Sequence, residues 1–184
     1  MPGAPLDARA PASGADAVCL WWPVSTAKFV IMTVGTIGLY HYYWLYANWQ
    51  RVRARGDAAL NPFWRTFFAL VTVYTMFARV KASASPSGAP VRWSAELLAG
   101  AYFLANIAML VAVPPWLAGV VVLLPILPVQ VTMARVNAAA APSAPRNDRL
   151  TVANLVMLAL GALFAAGAFA LDREVARLLQ EWEP

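Results

Sequence analysis

The chain has 184 residues, of which 61% are hydrophobic and only 12% charged. A soluble domain of ordinary composition is about 45–50% apolar and about 25% charged, so a water-facing globule, a disordered tail and, with one cysteine, a disulfide scaffold are excluded. The net charge of +5 sits in short clusters between apolar stretches, which marks membrane orientation and not nucleic-acid binding.

Residues 1–23 are rich in Ala, Pro and Gly and are expected to form a flexible tail. No basic start precedes an apolar core, so a signal peptide is not expected. Asp16 argues against Cys19 as a lipidated cysteine. Trp21 and Trp22 close the tail with amphipathic rings suited to the headgroup layer.

A first membrane span is predicted over about 29–49, which carries no formal charge; roughly 20 such residues cross a ~30 Å hydrocarbon core. Gly35 and Gly38 within it read as packing sites. Its second half is loaded with Tyr and Trp, and Arg51, Arg53 and Arg55 follow at once. An aromatic belt followed by arginines reads as the cytoplasmic end of a helix.

Residues 63–80 are ambiguous. The apolar run between Arg65 and Arg79 is short for a span, and Arg65, Thr72, Thr75 and Arg79 share one stripe at 100° per residue. That pattern suits an amphipathic helix in the headgroup plane, with a tilted fifth span as the alternative. After a Ser/Pro/Gly-rich linker, spans are predicted over about 95–113 and 116–134, split by Pro114 and Pro115. Pro125 and Pro128 are expected to kink the second. A further polar loop leads to a last span over about 150–171, where Gly161, Ala165 and Ala168 form a small-residue face for helix packing. Residues 172–184 read as an amphipathic tail.

Basic residues arbitrate between four spans and five. With 63–80 interfacial, Arg51, Arg53, Arg55, Arg65, Arg79, Lys81, Arg92, Arg135, Arg146 and Arg149 share one side, against Arg9, Lys28, Arg173 and Arg177. With 63–80 spanning, the split is nearly even. The positive-inside bias therefore favours an all-α bundle of four spans plus an interfacial helix, with both termini outside.

No catalytic constellation is present: the chain lacks a nucleophile elbow, an HExxH pair and a phosphate-binding loop. His41 is the only histidine, and a metal site normally needs three or four ligands. Neither a metal nor a cofactor is expected, and the chain does not read as an enzyme. Glu96, Asn106, Gln130 and Asn154 could line a polar pathway, but interhelical hydrogen bonds are the plainer reading.

Residues 36–49 read TIGLYHYYWLYANW, the pattern TxGLYxxYWxYxNW, and the basic run follows directly. NPFWRTFFA stands at 61–69, with Tyr74 and Phe77 beyond it. Together these residues resemble a family of small bacterial multipass membrane proteins without an established activity; LLPILPVQ at 123–130 and Asn154 resemble its later half more loosely. The resemblance implies a multipass protein of the bacterial cytoplasmic membrane and carries over no functional residue.

The residues themselves then imply a non-enzymatic accessory or interaction subunit. Its expected contact face joins Tyr40, His41, Tyr43, Trp44, Asn48, Arg51, Arg53, Arg55, Pro62, Trp64 and Arg65. The expected partners are anionic membrane lipid, other membrane proteins or a second copy, and no nucleic acid. The alternative is a small oligomeric transporter or channel subunit.

Overall fold

Every regular element is helical among the residues described by the computed structural model, which are 19–88, 91–111 and 113–182. The expected N-terminal tail therefore lies mostly outside the described residues. The helices are α1 (Thr26–Gly35), α2 (Leu39–Ala54), α3 (Pro62–Phe67), α4 (Ala69–Ala84), α5 (Ala95–Val111), α6 (Ala118–Ala140) and α7 (Val152–Trp182). A single 3-10 turn, Pro115–Leu117, precedes α6.

The predicted span over 29–49 is not one helix. It breaks at Thr36–Gly38, where Ile37 and Gly38 adopt φ of 55° and 87°. Two successive left-handed residues cannot extend a right-handed helix, so the chain doubles back. The Phe29 ring of α1 lies 5.1 Å from Trp44 and 6.3 Å from Tyr40 of α2. Residues 26–54 thus form a helical hairpin whose tip is Thr36–Gly38. At about 15 Å for ten residues, α1 alone could cover only half of a ~30 Å hydrocarbon core.

The stretch 63–80 also differs from a single interfacial helix. It bends at Phe68 (ψ 39°), and Arg65 meets Thr75 at 3.4 Å across the bend. Arg65, Thr72 and Thr75 of the polar stripe expected to face headgroups lie in this seam, where the Thr72 hydroxyl donates to the Arg65 and Phe68 carbonyls, whereas Arg79 is exposed and pairs with Asp57. The adjoining face of α4 buries Val73, Met76, Phe77 and Val80 in the core. A side so apolar packs against helices, here α5 and α6.

The later helices run longer. Ser94 caps α5, accepting the Leu97 amide at 3.2 Å. The helix α6 is continuous through Pro125 and Pro128, although each proline removes one ladder hydrogen bond. The segments Pro115–Ala140 and Val152–Trp182 are long and apolar enough to cross a membrane; α5 is a shorter apolar helix. The expected tail at 172–184 continues α7 without a break as far as Trp182.

Two glycines lock the hairpin into this bundle. A Cβ on Gly119 of α6 would lie 2.8 Å from the Val34 Cα, and one on Gly161 of α7 would lie 2.9 Å from the Thr36 Cα. Only glycine permits backbones that close. Gly161 is buried, and Ala165 and Ala168 are half-buried beside it.

Candidate functional site

One end of the bundle is rich in loops. The segment 19–25, the loops 55–61, 85–94 and 141–151, and both feet of the hairpin all gather there. Trp21 joins Asn137 of α6, its indole donates to Ser83 at the end of α4, and the Lys28 ammonium reaches Asn147 and the Arg149 carbonyl at 2.8 and 2.6 Å. Eleven of the fourteen Lys and Arg residues stand at this end: Lys28, Arg51, Arg53, Arg55, Arg65, Arg79, Lys81, Arg92, Arg135, Arg146 and Arg149. Only Arg173 and Arg177 lie toward the far end, and Arg9 is outside the described residues. The acids at the basic end are Asp57, Glu96 and Asp148.

The expected contact face divides into two sets. Tyr40, His41, Trp44, Asn48 and Pro62 are buried. The Trp44 indole donates to Gln130 at 2.7 Å, and Asn48 accepts the Trp22 amide at 2.8 Å while donating to the Trp44 carbonyl at 2.9 Å. The His41 Nδ1 meets the Gly38 carbonyl and its Nε2 lies 2.8 Å from the Tyr102 hydroxyl. Since a carbonyl only accepts, Nδ1 carries the proton and Nε2 accepts from tyrosine. Pro62 opens α3 behind the Asn61 cap. These five belong to the interior.

The remaining members lie at the surface or its margin. Tyr43, Arg53, Arg55 and Trp64 are exposed, with Arg51 and Arg65 half-buried. Several of the arginines are already engaged within the protein. Arg51 donates to the Cys19 carbonyl at 2.8 Å and lies over Trp22; Arg55 donates to the Leu20 carbonyl and lies over Trp21; Arg65 lies over Trp49. Such cation–π contacts are worth about 0.5–1 kcal/mol at exposed sites. Arg79 pairs with Asp57 at 2.8 Å. Desolvation, then the charges of Arg51 and Arg79, lower the Arg55 pKa, yet an arginine stays protonated.

Sequence alone assigns Arg135 and Arg146 only an orientation role and misses them as site residues. Both line an open cavity of about 310 Å³ bordered by residues 19–26, the last turns of α6 and the loop that follows it. Neither forms an ion pair among the described residues. Their only further signal in the sequence is that they flank one Ala/Pro-rich loop. Trp21 and Trp22, expected in the headgroup layer, instead pack inward: Trp21 is buried and Trp22 half-buried. No group of three His, Cys, Asp or Glu side chains comes together among the described residues.

The polar residues considered for a pathway are tied to neighbours. Gln130 also donates to the Val24 carbonyl at 2.9 Å, Asn106 donates to the Tyr102 carbonyl at 2.8 Å, and Asn154 accepts the Thr151 amide at 3.1 Å. Glu96 is exposed and accepts from Ser94. No protein-family model matches the chain, and neither a curated protein nor a solved structure matches it.

Proposed function

We propose that this is a non-enzymatic integral membrane protein of the bacterial cytoplasmic membrane that engages anionic phospholipid through its basic end. The gathering of eleven basic residues at one end of a helical bundle carries this reading. Short loops rich in Lys and Arg face the cytoplasm, and each such group near an anionic surface is worth about 1 kcal/mol. The resemblance to small bacterial multipass proteins agrees with it.

The same charge count favours three crossings, α5, α6 and α7, with the α1–α2 and α3–α4 segments re-entering from the cytoplasmic side. Residues 19–25 then lie inside and Trp182 outside, unlike the four-span layout with both termini outside. A re-entrant hairpin is tolerated at membrane depth when its backbone is covered by protein, as Gly119 and Gly161 cover the tip here.

Tryptophan quenching tests the lipid reading. In vesicles, brominated phosphatidylglycerol should quench this protein more strongly than brominated phosphatidylcholine at equal mole fraction. The preference should shrink as salt rises, because surface attraction is screened. Equal quenching by the two lipids at low salt would refute the proposal.

A further inference from the structure

We infer that the cavity between residues 19–26 and the end of α6 is a binding site for a phosphate group, carried on a phospholipid headgroup or on a small soluble phosphate. This rests on the lipid reading and assigns it a place. Of the basic residues gathered at this end, Lys28, Arg51, Arg55, Arg65 and Arg79 are held by carbonyls, amides, aromatic faces or Asp57. Arg135 and Arg146 are not so held among the described residues, and both line this cavity. They approach it from α6 and from the following loop, so two guanidinium groups can converge on one anion. Arginine suits this task because its planar donors match phosphate oxygens bidentately.

The remaining wall favours an amphiphile. Val24, Ala134 and Ala138 supply apolar surface, and Thr26 adds a hydroxyl. Among the described residues no acidic side chain lines the cavity, so none of them repels an anion at contact. A volume of about 310 Å³ is at the lower end of small-molecule sites, roughly 300–1,000 Å³. That admits a phosphate with its glycerol and leaves acyl chains outside.

Binding of dihexanoyl phosphatidylglycerol to the purified full-length chain in neutral detergent tests the site. Wild type should bind it saturably. The R135Q/R146Q variant should bind at least ~10-fold more weakly, as expected for losing charge-assisted hydrogen bonds. Ala138→Phe, at an exposed position on the cavity wall, should weaken binding similarly without altering charge. R53Q/K81Q removes equal charge from the same end outside the cavity and should change affinity less than ~2-fold. All variants are compared at matched helical content and a single gel-filtration peak. Equal weakening by R53Q/K81Q and R135Q/R146Q, or no change in Ala138→Phe, would overturn the cavity site while leaving the lipid reading intact. Failure of wild type to prefer this lipid to dihexanoyl phosphatidylcholine would overturn both. Competition by inorganic phosphate or glycerol 3-phosphate at similar concentrations upholds the site with a soluble ligand; lack of competition upholds it with lipid.

Discussion

Asn48, Gln130 and Asn137 each use both ends of the side-chain amide to pin residues 21–24 and Trp44. Asn137 accepts the Trp21 amide and donates to the Trp21 carbonyl, both at 2.9 Å. Gln130 stands seven residues earlier on the same face of α6 and holds Trp44 and Val24. Residues i and i+7 share a helix face, so one stripe of α6 receives the extended segment. Leaving buried backbone groups unpaired costs about 1–3 kcal/mol each. Asn137→Leu should therefore lower the melting temperature in detergent, while Asn154→Ala, at a half-buried helix start, should lower it less. Tyr102→Phe strands the buried His41 Nε2 and should cost about 1–3 kcal/mol. The double variant His41→Phe/Tyr102→Phe should cost less than the sum of its single changes, since removing both polar partners leaves none unpaired. Additive losses would show that the pair is not coupled. Hydropathy marks Trp44 and His41 as interfacial because tryptophan and histidine are common there; their burial depends on Gln130 and Tyr102, far along the chain, which no local pattern joins to them.

The α1–α2 hairpin is held by its tip. Gly119→Ala and Gly161→Ala would each push a methyl group against α1 backbone, which cannot rotate away as a side chain can. Both should lower thermal stability measurably in detergent. Gly167→Ala meets nothing within 4 Å and should be neutral or stabilising, because alanine is favoured over glycine in helix interiors by about 0.5–1 kcal/mol. A uniform response of the three variants would contradict the close packing. The sites of α5, α6 and α7 are legible in sequence, because an apolar run bounded by polar loops or prolines identifies a helix without reference to its neighbours. The hairpin is not. An uncharged stretch of some twenty residues has one hydropathy profile whether it crosses or doubles back, and the reversal depends on the backbone angles of Ile37 and Gly38. Gly161 is legible as a packing residue from its small-residue stripe, whereas its partner, the α1 C-terminus, is not.

Across the whole molecule, burial and charge separate. Tyr40, His41, Trp44, Asn48 and Pro62 of the expected face fill the core, and the cations without a partner among the described residues of the loop-rich end sit on its rim. Composition makes the two long apolar helices legible, and the spacing of the basic clusters marks the loops that the fold gathers at one end. The side on which Lys28 lies depends on whether the chain turns back at Gly38, so that one residue changes the count and with it the place of the N-terminal segment. Single cysteines read this directly. In a Cys19→Ser background, Ala27→Cys and Gln50→Cys lie at exposed positions on the two arms of the hairpin. A membrane-impermeant maleimide added to spheroplasts should label neither until the membrane is opened, and should label Gln180→Cys before it is opened. Labelling of Ala27→Cys from outside with Gln50→Cys still protected would show that residues 29–49 cross the membrane and would contradict the hairpin.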